Sequence, residues 1–348
     1  MPSVRRNLLI ATLLTAVTLA ALVGLTWRPE SWRHLTALRP LTIAGALALV
    51  VGACTVGGLR TWVLARALGY RPSLLTSLKA SLVGTMMSGL TPFAGGGGPA
   101  EAAVLSKEAS VPYAAAMAAV TATGIINQSV LLLVSAAVLF SPLPLPGLPA
   151  IRTAIRWAIL VYAAGLAGVV AALLRIQWLA GPVEALLTWV ERVLPRAAAR
   201  VRAARMKTRR FLVGMADALR TVLQSRPAAV LTVGAAYLVY YVLLFAVAAL
   251  LAASLGAEVP APVLVLAQFP LLLLGSLIPT PGASGGLEAA MAAMVAPHLP
   301  AGAVGIFVGA WRLLTFYTTL VAGLVAAGLS LRPRAEGSQH TPRPIREG

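Results

Sequence analysis

The sequence is poor in the residues that carry most hydrolytic and metal chemistry. Of 348 residues, one is cysteine, three are histidine and ten are acidic. Asp217 is the only aspartate. A single thiol, Cys54, forms no internal disulfide and no thiolate cluster, and its apolar neighbours mark it as a small packed side chain. His34, His298 and His340 fall at segment ends or loops. Metal-dependent phosphatases, and glycosyltransferases that grip a metal between aspartates, need clustered Asp and His ligands. No such cluster and no nucleotide-binding motif stands in the chain, so no metal and no cofactor are expected. Charged residues make up 11%, well below the roughly 25% of a soluble domain.

What the chain has in excess is hydrocarbon. Hydrophobic residues reach 59% and the mean hydropathy is +0.87. Apolar runs near the ~20-residue spanning length lie at 7–26, 41–65, 112–140, 152–174, 227–254 and 302–330. They are too long, and lack the period-2 alternation, for barrel strands. The expected class is an all-α polytopic membrane protein. The run at 7–26 is longer than a signal-peptide core, with no small-residue cleavage site after it, and reads as a retained first span.

The net charge of +18 follows the same logic. Lys and Arg gather between apolar runs, as the positive-inside rule requires, so no nucleic-acid partner is expected. Arg5 and Arg6, Arg66 and Arg71, the basic stretch 175–226 and the tail after 331 all fall on one side if both termini are cytoplasmic. Connections 141–150 and 256–260 carry no positive charge, whereas loop 27–40, with Arg28, Arg33 and Arg39, is discordant. The basic stretch suggests two amphipathic helices, with apolar stripes on Leu179, Val183, Leu186, Val190 and Leu194 and on Phe211, Met215, Leu219 and Val222. Two placements are open for them: flat on the inner leaflet, or folded on each other as a cytoplasmic hairpin. The polar segment 331–348 is expected to be a disordered cytoplasmic tail.

Two further apolar segments, 73–107 and 261–297, are interrupted at TPFAGGGGPAE (from Thr91) and PTPGASGGLE (from Pro279). Each has a full span before it and another after it. The offset is about 189 residues throughout. This divides the chain into repeat one over 41–140 and repeat two over 227–330. By the loop charges, the two broken segments enter from opposite sides. Two re-entrant hairpins in an inverted-topology repeat are the expectation, and paired breaks of this kind point to a transport site. Pro92, Pro279 and Pro281 cannot continue a regular helix, and the glycines let the chain turn. Freed backbone groups in hydrocarbon survive only where protein or a water-filled cavity satisfies them. Helices restarting near Pro99 and Ser284 would aim positive ends at mid-membrane, which suits a lipid phosphate. The competing reading is that both hairpins are packing devices.

The motifs TPFAGGGGPAEAAVLSKE and FPLLLLGSLIPTPGASGGLEAAMAAMV, with WRLLTFY in the last span, resemble the lysylphosphatidylglycerol synthase transmembrane region, a flippase-like family. The likeness runs from about residue 41 to 330. It implies lipid translocation, of aminoacylated phosphatidylglycerol or polyprenyl-linked lipids. It places Pro279, Thr280, Pro281, Gly282, Ser284, Gly285, Gly286 and Glu288 in the family signature, with Arg312 and Tyr317 of the last span. In the first motif Thr91, Pro92, Gly96, Gly97 and Pro99 correspond, while Gly98 stands where a Gln is common and Glu101 is unusual. The soluble aminoacyltransferase domain of full synthases is not in this chain.

Ionisable residues within spans are the remaining candidates. Arg312 lies deep in its span, either to hold a phosphate or to pair with Glu288. Glu101 and Glu288 are taken as equivalent positions of the repeat, for headgroup contact, a coupling proton or helix capping. Lys79, Lys107 and Glu108, and also Arg60, are expected near the interface. Asn127 and Gln128 face a cavity or bond between helices. The function expected is translocation of an anionic or aminoacylated phospholipid, or a polyprenyl-linked lipid, across the cytoplasmic membrane. Without a nucleotide site, an ion gradient or the lipid gradient would drive it. The alternatives are a membrane-embedded transferase on a lipid carrier, with Glu101 or Glu288 as base, and a non-transporting partner of a lipid-modifying enzyme. Membrane lipids are the expected partners, and a homo-oligomer is compatible with the sequence.

Overall fold

A computed structural model describes residues 31–141, 152–174, 198–300 and 302–331, with isolated positions in 17–29 and 185–190. The span expected over 7–26, the connection after 141, most of the stripe from Leu179 to Leu194 and the tail lie outside these residues. In chain order the described helices are Ser31–Ala37 (α1), Pro40–Ala67 (α2), Leu74–Leu90 (α3), Gly97–Ala109 (α4), Tyr113–Phe140 (α5), Arg152–Leu174 (α6), Ala198–Ser225 (α7), Pro227–Ser254 (α8), Ala261–Gly275 (α9), Gly286–Val295 (α10), Val304–Arg312 (α11) and Thr318–Leu331 (α12). No strand occurs among the described residues. Among the described residues five segments are long and apolar enough to cross a membrane: α2, α5, 153–172 of α6, α8 and the composite 304–330. The protein is an all-α, multi-pass membrane protein.

The helix boundaries follow local chemistry. Pro40 and Pro227 open α2 and α8, where a missing N–H costs nothing and the fixed φ suits the first turn. Ser73 caps α3 by accepting from the Thr76 amide at 3.0 Å. The four helices of the two interrupted segments fall short of the bilayer. α3, α4, α9 and α10 have 17, 13, 15 and 10 residues, which is about 15–26 Å at 1.5 Å per residue, against a hydrocarbon core of about 30 Å.

The two halves of the chain cover each other. α2 lies along α8, α12 packs on α3, and α5 packs on α9. Each pair of short helices is therefore shielded by the last long helix of the other half. The contact of α12 with α3 is close. A Cβ at Gly323 would lie 2.4 Å from Met86 Cβ and 2.7 Å from the Leu82 carbonyl oxygen.

The Phe211–Met215–Leu219–Val222 stripe of α7 packs on spanning helices: Met215, Leu219 and Val222 are buried in a core shared with Ala118 and Ala122 of α5 and Tyr237 of α8. Its expected companion, the stripe from Leu179 to Leu194, lies mostly outside the described residues. Two details depart from the sequence reading. The segment 27–40 holds a short helix, α1, whose Ser31 hydroxyl donates to the Gly302 carbonyl at 3.1 Å. The last span is continuous but contains a π turn, Leu313–Tyr317, between α11 and α12. Thr318 donates its hydroxyl to the Leu313 carbonyl, at 3.1 Å, within that widened turn.

Gly323→Ala is expected to lower the melting temperature of the detergent-purified protein, for an overpacking cost of about 1–3 kcal/mol. Gly328, exposed on the same helix with nothing within 4 Å of where a Cβ would stand, is the control. Gly328→Ala is expected to melt at or slightly above the wild-type temperature. Equal melting of the two variants would contradict the α12–α3 packing.

Candidate functional site

The two interruptions fold alike. In each, a Thr-Pro pair ends an extended residue and opens a single 3₁₀ turn, Pro92–Ala94 or Pro281–Ala283. Ala94 N donates to Thr91 O at 3.1 Å and Gly95 N to Pro92 O at 3.2 Å; Ala283 N donates to Thr280 O at 3.0 Å and Ser284 N to Pro281 O at 3.2 Å. The third and fourth positions take left-handed φ in both: Phe93 and Ala94 at 52° and 56°, Gly282 and Ala283 at 63° and 51°. For Phe93 and the two alanines that conformation is strained, of order 1–3 kcal/mol each. The following helix restarts six residues after the threonine in both cases, at Gly97 and at Gly286.

The freed backbone groups are satisfied differently. In the first turn Thr91 closes the gap: its hydroxyl donates to the Met87 carbonyl at 2.7 Å and accepts from the Gly96 amide at 2.8 Å. In the second, Thr280 donates to the Ser284 carbonyl at 3.0 Å. Glu288 then accepts from the Gly285 amide at 2.8 Å through Oε2, closing the helix start, where Gly285 has φ +91°. Its other oxygen accepts from Arg312 Nε at 2.7 Å. Arg312 Nη2 also donates to the Gly282 carbonyl at 2.9 Å. Arg312 is 3% exposed and Glu288 0%, so this is a buried ion pair that ties α11 to the turn and to α10.

Glu101 is not the counterpart of Glu288. An offset of 189 residues puts Pro99 opposite Glu288, and Glu101 sits two residues further along α4. It accepts instead from the Thr61 hydroxyl of α2 at 2.5 Å. Gly84 of α3 leaves room for it, since a Cβ there would come within 2.9 Å of Glu101 Oε2.

Between the breaks lies a cavity of about 530 Å³. Thr91, Phe93 and Ala94 line it from the first turn, and Thr280, Gly282 and Ala283 from the second. Arg312 and Phe316 contribute from the last span, Arg60 from α2, Asn127 and Gln128 from α5, and Tyr237, Tyr240 and Tyr241 from α8. Phe316 joins the breaks. A Cβ on Gly89 would lie 3.0 Å from its ring and one on Gly282 2.6 Å, and the Arg312 guanidinium stands 4.9 Å over the ring centroid. On the opposite wall Arg60 lies 4.5 Å over Tyr237 and 5.5 Å over Tyr240. Tyr241 donates to Asn127 Oδ1 at 2.7 Å, and Asn127 Nδ2 to Gln128 Oε1 at 3.3 Å.

Residues 7–323 match the family described as the lysylphosphatidylglycerol synthase TM region. The chain belongs to this family. A UPF0104 membrane protein of Archaeoglobus fulgidus is 30% identical over 116 residues, which is 33% of this chain and 35% of that protein. The matched stretch thus spans about a third of that relative's length. No solved structure matches the chain at a significant level.

For this member of the lysylphosphatidylglycerol synthase TM family, the residues expected from the sequence divide into cavity wall and support. Thr91, Thr280, Gly282, Arg312, Arg60, Asn127 and Gln128 line the cavity. Gly96, Gly97, Ser284, Gly285, Gly286, Glu101 and Glu288 stand behind it, shaping the turns and helix starts, with Pro92, Pro99 and Pro281 also off the wall. Tyr317 is off the wall too: its ring packs 5.2 Å from that of Phe316, which takes the cavity position. Arg60 lines the cavity. Lys79 pairs with Glu108, and Lys107 Nζ donates to the Ser330 carbonyl at 2.9 Å, so both tie helix ends together. The tyrosine wall escaped the sequence reading. The run YLVYYVLLF has tyrosines at spacings of three and four, 237, 240 and 241, which place them on one helical face. Gln268 was missed as well; its Nε2 donates to the Phe245 carbonyl of α8 at 3.1 Å.

Arg312→Gln and Glu288→Gln are each expected to cost about 3–5 kcal/mol, because either leaves a buried charge unpaired. The double variant is expected to cost less than the two together. A double-mutant cycle by detergent denaturation measures the coupling; a value near zero would contradict the pairing.

Proposed function

We propose that the protein translocates a phosphate-bearing lipid, an anionic or aminoacylated phospholipid or a polyprenyl-linked lipid, across the cytoplasmic membrane. The headgroup passes through the cavity while the tails remain in the bilayer. In this reading the α3–α4 and α9–α10 pairs are re-entrant hairpins of an inverted repeat, and both termini are cytoplasmic. One observation carries it: two chain breaks of the same geometry, 189 residues apart, meet at one cavity walled by both, with two arginines, two side-chain amides and several hydroxyls in its lining. Hairpins that served packing alone would have no reason to enclose about 530 Å³ lined by arginines, amides and tyrosines. The short helices support it: α3, α4, α9 and α10 are too short to span, the length expected of half-helices that end within the membrane.

A second reading, a transferase acting on a lipid carrier, draws on the word synthase in the family description. The lipid recovered after incubation separates the two: translocation relocates it unchanged, whereas transfer makes a new species.

Gly124 lines the cavity and has nothing within 4 Å of a Cβ position. Gly124→Trp therefore fills the cavity without a clash at its base. In proteoliposomes with headgroup-labelled fluorescent phosphatidylglycerol, it is expected to reduce translocation to the rate of protein-free liposomes. Gly328→Trp, on the exposed face of α12, is expected to move lipid at the wild-type rate. Wild-type movement by Gly124→Trp would sink this route.

A further inference from the structure

We propose that Arg60 anchors a headgroup site selective for a phosphate without a cationic amine. This rests on the translocation reading and names its substrate class. Among the described residues two guanidinium groups line the cavity, and no carboxylate does. They are not alike. Arg312 is neutralised by Glu288 and spends a second donor on the Gly282 carbonyl. Arg60 donates to the Gly57 carbonyl of its own helix, at 3.2 Å, and bonds the Tyr237 side chain, and no carboxylate lies within ion-pair distance of it among the described residues. Glu101 is near enough for Arg60 to feel its charge, but that carboxylate is 6% exposed, is bonded to Thr61 and stands off the cavity wall. The cation presented to a ligand is therefore Arg60.

Its setting suits an oxyanion. The guanidinium stands 4.5 Å from the Tyr237 ring centroid and 5.5 Å from that of Tyr240, two rings inclined at 81° to each other. The N–H groups of its planar fork that these neighbours leave over match phosphate oxygens. Beside it the chain of bonds from Tyr241 through Asn127 ends on Gln128 Oε1. Gln128 Nε2 is left without a protein partner among the described residues and can donate to an ester or hydroxyl oxygen of the same headgroup.

The same geometry rejects an ammonium group. Two of the tyrosine faces that would bind one, those of Tyr237 and Tyr240, already hold Arg60. A second cation in the cavity would meet an arginine and no contacting carboxylate, in surroundings where water screens little. An aminoacylated lipid is thus the poorer ligand of this chain, although the family takes its description from one.

The test uses the full chain in nanodiscs holding equimolar phosphatidylglycerol, lysylphosphatidylglycerol and phosphatidylcholine, with retained lipid read by native mass spectrometry. Wild type is expected to retain phosphatidylglycerol over lysylphosphatidylglycerol by roughly tenfold or more, the scale of one charge-assisted pair. Arg60→Gln is expected to bring phosphatidylglycerol down to the phosphatidylcholine level, with Arg60→Lys between. Melting temperatures in lipid-free detergent check that the variants fold, and the wild-type selectivity needs no variant. Equal or preferred retention of lysylphosphatidylglycerol, or full retention of phosphatidylglycerol by a folded Arg60→Gln, overturns the proposal. Millimolar glycerol phosphate is expected to leave the lipid bound; its displacement of the lipid would assign the site to a free phosphate and overturn the lipid assignment. If phosphatidylglycerol binds through Arg60 but never crosses the bilayer, the translocation reading fails and the site stands. If Arg60→Gln moves labelled phosphatidylglycerol at the wild-type rate, the site fails and translocation stands.

Discussion

A helix broken among apolar neighbours releases amides and carbonyls that need new partners, and each left without one in hydrocarbon costs several kcal/mol. Everything around the two turns answers that demand. The first turn is closed by one hydroxyl, Thr91, which bonds backward to Met87 and forward to Gly96. The second turn needs more, because its glycine at φ +91° opens the helix start. Glu288 closes that start, and its charge in turn demands Arg312. Arg312 then holds the Gly282 carbonyl, so a single buried guanidinium fixes both sides of the turn. A buried ion pair adds little net stability against an apolar replacement. Its value here is geometric: it fixes where the turn stands relative to the last span.

That placement creates the cavity. The π turn after Arg312 puts Phe316 between Gly89 and Gly282, so the two breaks meet at one ring. Opposite stand Arg60 and the tyrosines of α8. Because Glu288 absorbs the charge of Arg312 behind the wall, the cavity keeps one cation without a contacting counterion. The support of the fold and the charge offered to a ligand are consequently carried by different arginines. Sequence position alone had suggested Arg312 for both.

Much of the architecture is legible in the chain because membranes impose lengths. Runs of about 20 apolar residues can only be spans, and five of the six expected segments recur as helices among the described residues. The breaks are legible because proline and glycine have backbone limits that context does not remove. The Thr-Pro match marked two alike turns, but the left-handed residues of the first are Phe93 and Ala94 rather than the glycines that follow them. Side-chain partners were harder. A shift of two residues turns a helix position by about 200°, so Glu101 looks toward α2 while Glu288 looks back at its own helix start. Lys79 and Lys107 read as interfacial from hydropathy, yet their partners Glu108 and the Ser330 carbonyl are contributed by other helices. The α7 stripe was visible, but not the helices that bury it.

The sequence by itself determined the class, the spans and the two breaks, since these depend on local covalent limits and on the thickness of the solvent. Only the tertiary structure decided which charge is neutralised and which faces the cavity. That choice depends on distances between helices far apart in the chain: α10 with α11, α2 with α8, α5 with α8. Composition reports that Arg60 and Arg312 are present; packing places a carboxylate 2.7 Å from one and tyrosine rings under the other.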